Sequence, residues 1–163
     1  MKIAIVPGSF DPVTMGHLDI ITRASKIFDK VIVLVLINPQ KKPAFTKEER
    51  LEYIKKTTQH LENVTADSYE GLLVEYAKKK QACAIVKGLR AMSDLEYEFQ
   101  MALTNKRLEP DIETMFLTTD NDYLYLSSNL VKQLVPFGGD VTGFLPPAIH
   151  DDVVEELKKR MNN

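Results

Sequence analysis

Four side chains lie in short segments where they could bind a phosphate group. His17 ends the segment V-P-G-S-F-D-P-V-T-M-G-H, residues 6–17. Lys41 follows in a loop rich in lysine and proline, and Lys87 and Arg90 begin and end the string K-G-L-R. Imidazole, ammonium and guanidinium groups bind phosphate and stabilise the negative charge that develops when a phosphoryl or nucleotidyl group is transferred. These residue types therefore indicate a phosphorylated ligand.

The segment before His17 is predicted to join a strand to a helix. Residues 2–6 are apolar and rich in β-branched side chains, and apolar residues recur at helical spacing from Leu18 onward, so residues 7–13 form a loop. Thr14 is the predicted N-cap, which places Gly16 and His17 in the first turn, where free N–H groups and the helix dipole favour an anion. Gly16 lets a nucleotide approach the backbone. The positive helix end should lower the pKa of His17 and favour its neutral form.

A surface histidine on an ordinary helix, with glycines that only shape a turn, is the alternative interpretation of this segment. The string fits neither the G-x-G-x-x-G nor the G-x-x-x-x-G-K-[ST] fingerprint. Ser9 lacks the G-x-S-x-G surroundings of a hydrolase nucleophile. His60 and His150 lack the spacing of zinc ligands, so no metal site made by protein ligands alone is expected.

Strand and helix patterns alternate along the chain. Predicted strands at residues 2–6, 31–37, 63–66, 82–86 and 113–117 are separated by helices. Further helices are predicted from Thr46, where Glu49 completes a capping box, and at residues 70–80, 93–108, 128–134 and to about 160. The alternation predicts an α/β fold with a doubly wound, mainly parallel, five-stranded Rossmann-like sheet of order 3-2-1-4-5 and helices on both faces. Ligands bind such sheets where the order reverses, so the loops at residues 8–17 and 87–90 should be neighbours.

Composition and length narrow the class of protein. With 163 residues, 44% of them hydrophobic and 27% charged, the chain is expected to form one domain, residues 1–163. A net charge of −2 argues against nucleic-acid binding. Cys83 lies in the apolar run 82–86 and is expected to be a buried strand residue. No signal-peptide pattern and no apolar run of ~20 residues is present, so we expect a cytoplasmic protein without a membrane segment.

The string K-G-L-R is a second candidate phosphate site, with a solvated loop as the alternative. The helix after it presents two stripes. Leu95, Phe99, Ala102 and Leu103 form an apolar stripe that is expected to face the core. The other stripe holds Asp94, Glu98, Met101 and Asn105. This stripe is either an ordinary solvated face or a place where Asp94 and Glu98 reach a nucleotide and Asn105 reaches a second substrate.

Ser127, Ser128 and Asn129 begin the short predicted helix that carries Lys132. Hydroxyl groups and free N–H groups at a helix start can bind an anion. N-capping by Ser127 or Ser128 is the simpler alternative. Because capping needs only one side chain, three small polar residues in a row favour an anion site.

Several segments together resemble a known family. The first segment resembles the T-x-G-H signature of the nucleotidylyltransferase superfamily, in which the histidine contacts the α-phosphate of a nucleoside triphosphate. With K-K-P-A-F-T-K-E-E-R at 41–50, K-G-L-R-A-M-S-D-L-E-Y-E at 87–98, S-S-N-L-V-K at 127–132 and F-L-P-P at 144–147, nearly the whole chain resembles the bacterial phosphopantetheine adenylyltransferase family. The resemblance implies conversion of ATP and 4′-phosphopantetheine into dephospho-coenzyme A and pyrophosphate with Mg²⁺, a homohexamer, and coenzyme A as a possible feedback inhibitor.

The resemblance also assigns individual residues. It implies phosphopantetheine contacts from Ser9, Lys41, Leu73, Lys87 and Asn105. It implies ATP contacts from Ser9, Phe10, His17, Gly88, Leu89, Arg90, Glu98, Tyr123, Leu124, Tyr125, Leu126, Ser127, Ser128 and Asn129, to which the helix pattern adds Asp94. Two positions depart from the family: Lys87 lies where arginine is usual, and Asn129 lies where a third serine is usual.

The predicted catalytic groups are His17, Lys41, Lys87 and Arg90. The phosphate of the acceptor is already an anionic nucleophile, so in-line attack on the α-phosphorus needs positioning and charge stabilisation but no covalent enzyme intermediate. Two alternatives remain at this stage. One is another nucleotidylyltransferase that uses a different acceptor or CTP. The other is a non-catalytic ATP-binding regulator with the same fold.

Overall fold

A five-stranded parallel sheet forms the centre of the molecule in a computed structural model that describes residues 1–163. Its strands are β1 Ile3–Gly8, β2 Lys30–Leu36, β3 Val64–Tyr69, β4 Ala84–Leu89 and β5 Glu113–Thr118. They lie in the order β3-β2-β1-β4-β5, and every pair is parallel. The predicted fold class and strand order are confirmed.

Six α-helices cover the two faces of this sheet. They are α1 Met15–Ile27, α2 Lys47–Thr58, α3 Leu73–Lys79, α4 Met92–Leu108, α5 Ser128–Leu134 and α6 His150–Met161. The larger hydrophobic cluster joins one sheet face to α1, α2, α5 and α6, and the smaller cluster joins the opposite face to α3. Residues 31–35 of β2 are buried on both faces, as their apolar run predicts. No helix is long and apolar enough to span a membrane.

Three strands continue two or three residues past their predicted ends. β1 continues through Gly8, β3 through Tyr69 and β4 through Leu89. The K-G-L part of the K-G-L-R string is therefore strand and not loop, because Lys87 and Gly88 remain paired with Phe116 and Leu117 of β5. Hydrogen bonding between strands extends past the point where both faces are buried, and apolar patterning does not detect that extension. The predicted helix at 70–80 likewise begins later, at Leu73.

The prediction that Cys83 is buried is wrong. Its side chain is exposed just before β4, and Sγ donates to the carbonyl oxygen of Ile3 at 3.4 Å. Its neighbours Ala82 and Ala84 are the buried residues here. Ala82 packs in the smaller hydrophobic cluster and Ala84 in the larger one, so the chain passes from one face of the sheet to the other at Cys83, before β4 begins.

Helix α4 has the opposite orientation from the one its apolar stripe predicts. Phe99 is 55% exposed and Leu103 is 57% exposed, whereas Asn105 is the one buried residue of the helix. The stripe with Asp94 and Glu98 faces β4, where these carboxylates pair with Arg90 and Lys87. The acidic stripe of α4 thus meets the cations at the end of β4, and Phe99 and Leu103 are left exposed.

Gly88 marks a close approach between β4 and α1. A Cβ atom at this position would lie 2.9 Å from Cγ1 of Ile20, inside the usual contact distance. We expect Gly88→Ala to lower the free energy of unfolding by about 1–3 kcal/mol, because the extra methyl group overpacks this contact. Chemical denaturation measures the change. Gly16→Ala is the matched control, since its Cβ would meet no atom closer than 3.6 Å. Equal stabilities of the two variants would contradict the prediction.

Candidate active site

Thr14 and His17 form a reciprocal cap at the start of α1. The Thr14 hydroxyl accepts a hydrogen bond from the backbone N–H of His17 at 3.4 Å, and the Thr14 N–H donates to Nδ1 of His17 at 2.9 Å. Because Nδ1 accepts this bond, the neutral ring carries its proton on Nε2. The predicted N-cap is confirmed. The return bond was not predicted, since the sequence signature of a capping box has Glu or Gln at this position.

His17 is neutral over the ordinary pH range. Its pKa is lowered from 6.5 to about 4 by burial first and then by the positive charges of Arg90 and Lys87. The predicted direction is correct, and burial and two cations are its identified causes. The Phe10 ring, itself buried, meets the imidazole edge-on with ring centres 5.0 Å apart. His17 is therefore held as a neutral hydrogen-bond donor.

The low pKa of His17 links the stability of the fold to pH. As pH falls, the unfolded chain takes up this proton near pH 6.5, whereas the folded protein takes it up only near pH 4. The free energy of unfolding should therefore decrease between pH 6.5 and pH 4 because of this residue. In His17→Gln, whose side chain can still accept from the Thr14 N–H, the decrease should be smaller. Urea denaturation at several pH values tests this, and an identical pH dependence in both proteins would contradict it.

The loop between β1 and α1 is fixed by residues to which the sequence analysis gave no role. The buried carboxylate of Asp11 accepts hydrogen bonds from the N–H groups of Ala44 and Phe45 and from Nζ of Lys132, each at 2.9 Å. Buried Arg50 donates to the carbonyl oxygen of Ser9 at 3.0 Å. Asp11, Arg50 and Lys132 all lie within the segments that carry the family resemblance, and this was the available signal.

The cations at the end of β4 are paired with carboxylates of α4. Nζ of Lys87 lies 3.4 Å from Oε1 of Glu98, and Nε of Arg90 lies 3.7 Å from Oδ2 of Asp94. Arg90 also donates to the carbonyl oxygen of Leu126 at 2.6 Å. The end of β4 is therefore tied both to α4 and to the segment before α5.

The start of α5 lies against the first loop. The Ser127 hydroxyl accepts from the N–H of Leu130 at 3.1 Å, which is the N-capping role considered above. The Ser128 hydroxyl donates to the carbonyl oxygen of Pro12 at 2.7 Å. Both hydroxyl groups thus have partners within the chain, and Asn129 is exposed.

These segments enclose a cleft of about 480 Å³ at the point where the strand order reverses. The predicted site residues that line it are Ser9, Phe10, His17, Lys41, Lys87, Gly88, Arg90, Asp94, Glu98, Leu126, Ser127, Ser128 and Asn129. Buried Thr119, which the sequence analysis did not select, also lines it. The loops after β1 and β4 are neighbours, as the topology predicted.

A second cavity of about 290 Å³ adjoins the first, and Pro7, Lys87 and Glu98 line both. Eight of its 14 lining residues are hydrophobic. Leu73 and Asn105, two of the residues predicted to bind the acceptor, line this second cavity. Lys87 therefore lies where a polar cleft meets a more apolar one.

Four of the predicted ATP-binding residues line neither cavity. They are Leu89, Tyr123, Leu124 and Tyr125. Leu124 and Tyr125 are exposed, and the Tyr125 ring packs edge-on against Phe144 with ring centres 5.5 Å apart. No group of three or more His, Cys, Asp or Glu side chains is assembled in a way that could hold a metal ion.

A sheet of this order binds ligands at its switch point, which is where the capped histidine and the basic residues lie. The family model described as cytidylyltransferase-like matches residues 5–134. Among solved structures, a bifunctional NMN adenylyltransferase/ADP ribose pyrophosphatase from Francisella tularensis superposes with a TM-score of 0.71 at 18% identity. The match covers 99% of this chain and 50% of that chain, and it shows the fold alone. The chain is therefore a cytidylyltransferase-like protein.

Closer relatives narrow the family. The phosphopantetheine adenylyltransferase of Caldanaerobacter subterraneus subsp. tengcongensis is 55% identical over 159 residues, which cover 98% of this chain and 99% of the relative. That of Clostridium tetani is 53% identical over 163 residues, which cover 100% of this chain and 99% of the relative. The chain belongs to the phosphopantetheine adenylyltransferase family.

Proposed function

We propose that the protein transfers the adenylyl group of ATP to 4′-phosphopantetheine, which gives dephospho-coenzyme A and pyrophosphate, the penultimate step of coenzyme A synthesis. The observation that carries the proposal is the pair of adjoining cavities that share Lys87. The polar cleft, with His17 and Arg90, suits a triphosphate. The more apolar cavity, with Leu73, suits a pantetheine arm whose phosphate ends at Lys87. The relatives named above support the same activity.

Each basic group has one role in the proposed direct in-line attack. His17, through its Nε2 proton, and Lys41 stabilise charge on the α-phosphoryl group as it is transferred. Lys87 holds the incoming phosphate. Arg90 and residues 127–129 at the start of α5 hold the β- and γ-phosphates. No enzyme side chain forms a bond to the substrate, because the attacking group is already an anion.

The remaining contacts are divided between the two substrates. Ser9, which lines the polar cleft, contacts both ATP and the acceptor, and Asn105 contacts the acceptor in the Leu73 cavity. Asp94 and Glu98 lie at the nucleotide side of the cleft, and they reach ATP if the phosphates replace them as partners of Arg90 and Lys87. The proposed ATP contacts that rest on the family resemblance alone are those of Leu89, Tyr123, Leu124 and Tyr125.

Mg²⁺ is proposed to bind together with ATP. The cleft carboxylates Asp94 and Glu98 already pair with cations, so phosphate oxygens and water are the suitable ligands for a small hard ion. When bound, the ion would neutralise charge on the departing pyrophosphate.

Coenzyme A contains the same phosphopantetheine arm, and we propose that it competes for the Leu73 cavity as a feedback inhibitor.

Pyrophosphate release tests the proposed reaction. The purified protein is incubated with Mg²⁺ and either ATP or CTP, and with 4′-phosphopantetheine, pantetheine, nicotinate mononucleotide or glycerol 3-phosphate. We expect release only with ATP and 4′-phosphopantetheine, and a product with the mass of dephospho-coenzyme A. Release with another pair would identify a different nucleotidylyltransferase. ATP binding without release under any condition would identify a regulator.

A homohexamer is the expected assembly, and the exposed apolar side chains of α4 are the proposed contact surface. Tyr97, Phe99 and Leu103 are 55–65% exposed, which is costly for a helix in water. Light scattering should give six times the chain mass of 18.5 kDa. Leu103→Glu should dissociate the assembly, whereas Ile27→Glu, at an exposed apolar position of α1, should not. A stable monomer of the unmodified chain at micromolar concentration would contradict the prediction.

A further inference from the structure

Asp11 connects three segments that line the cleft. Its side chain belongs to the β1–α1 loop and is 5% exposed. The carboxylate accepts hydrogen bonds from the N–H groups of Ala44 and Phe45, at the end of the loop that carries Lys41, and from Lys132 of α5. Each of these three bonds is 2.9 Å long and is strengthened by the carboxylate charge.

The Lys41 loop depends on this anchor for its position. Lys41 itself is exposed, and its backbone N–H bonds locally to the carbonyl oxygen of Asn38. The segment that follows is held from the protein side by Asp11. On the outer side, Arg160 of α6 donates to the carbonyl oxygen of Ala44 and lies 5.0 Å from the centre of the Phe45 ring. Residues 44–45 are therefore fixed while the Lys41 side chain extends into the cleft.

We propose that Asp11 is a positioning residue that sets the place of the Lys41 ammonium relative to His17. Asp11 is connected to a proposed catalytic group on either side: the β1–α1 loop leads into the first turn of α1, which carries His17, and the loop held by the carboxylate carries Lys41. The inference rests on the proposed function, because Lys41 has a catalytic role only if a phosphoryl group is transferred. Asp11 touches no substrate and acts through Lys41.

Asp11→Asn is the variant that tests this role. The amide keeps the size of the side chain, but its NH₂ group faces donors where a carboxylate oxygen accepted a bond. Displacement of a catalytic group by about 1 Å costs on the order of 10²-fold in rate. We expect kcat for adenylyl transfer to fall about 10- to 100-fold, with the Kd of ATP changed less than about 3-fold because His17 and Arg90 remain in place.

A double-mutant cycle with Lys41→Ala separates positioning from a general loss of structure. If Asp11 acts through Lys41, Asp11→Asn should have almost no further effect on kcat once Lys41 is alanine. Asp67→Asn is the matched control, because the Asp67 carboxylate also accepts from a backbone N–H, that of Ser68, and pairs with a lysine, Lys80. Its effect, whatever its size, should add to that of Lys41→Ala.

Substitution of Lys132 provides a second test of the proposal if Asp11→Asn fails to fold. Lys132→Met removes the cationic partner and leaves both backbone bonds to the carboxylate, so it should lower kcat less than Asp11→Asn and show the same coupling to Lys41→Ala. Lys132→Arg should restore kcat. Additive effects of Asp11→Asn, or of Lys132→Met, with Lys41→Ala would overturn the proposal. No turnover by the unmodified chain would instead overturn the proposed function.

Discussion

His17→Ala is expected to lower kcat on the order of 10²-fold or more while the fold and most of the affinity for ATP remain. The Nε2 proton is the group that the structure leaves free to contact a phosphoryl oxygen, because Nδ1 is occupied by the Thr14 N–H. A donor that acts mainly on the charge of the transition state contributes to kcat more than to ground-state binding. Thr14 still caps α1 in the variant, since its hydroxyl bonds to the backbone of residue 17.

Steady-state kinetics and calorimetric titration with ATP measure the two effects separately. His60→Ala is the control, because His60 is exposed and lies outside both cavities. A His17→Ala protein with nearly normal kcat would eliminate the proposed role. A variant that loses ATP binding and kcat to the same extent would show that His17 binds the nucleotide uniformly in ground and transition states.

Lys87→Ala is expected to lower kcat/KM for 4′-phosphopantetheine strongly. The loss of transition-state stabilisation should be about 2–5 kcal/mol, which is the cost of removing one partner of a desolvated charge contact. This corresponds to roughly 30-fold to several thousand-fold. Two effects combine here: the acceptor phosphate loses its cation, and Glu98 loses its partner at 3.4 Å. ATP binding should change only modestly, because Arg90 and His17 remain.

Lys87→Arg is the matched variant for this prediction. The substitution keeps the positive charge and introduces arginine, the residue that is usual at this position in the family. The planar guanidinium group of arginine can form two parallel hydrogen bonds to phosphate. We expect a much smaller effect than with alanine. Kinetics in which each substrate is varied in turn provide the measurement. If Lys87→Ala impaired only the use of ATP, Lys87 would bind the phosphates of ATP and not the acceptor phosphate, and the prediction would be wrong.

The sequence predicted the features that depend on local pattern and chain order. The strand order, the Thr14 cap and the proximity of the loops after β1 and β4 follow from periodicity, cap chemistry and the handedness of crossovers. Because parallel strands end at one edge of the sheet, residues far apart in sequence, such as His17 and Lys87, can be placed at one cleft from the sequence alone.

Features that depend on tertiary partners were not predictable in the same way. The apolar stripe of α4 indicated a buried face, but the helix instead places Glu98 and Asp94 against Lys87 and Arg90. Cys83 was predicted to be buried because its neighbours are apolar, but it lies just before β4, where apolar neighbours do not ensure burial. The bonds of Asp11 join residues 33, 34 and 121 positions apart, a relation that no local pattern contains.

The reciprocal cap on His17 determines whether this side chain can donate or accept a proton in the proposed reaction. With Nδ1 engaged by the Thr14 N–H, the ring can offer a hydrogen but has no free lone pair with which to remove one. In the proposed reaction, His17 therefore acts as a hydrogen-bond donor and not as a general base. A phosphate monoester has its second ionisation near pH 6. If no group in the cleft takes up that proton, we expect the rate to follow the fraction of acceptor that is doubly ionised in solution.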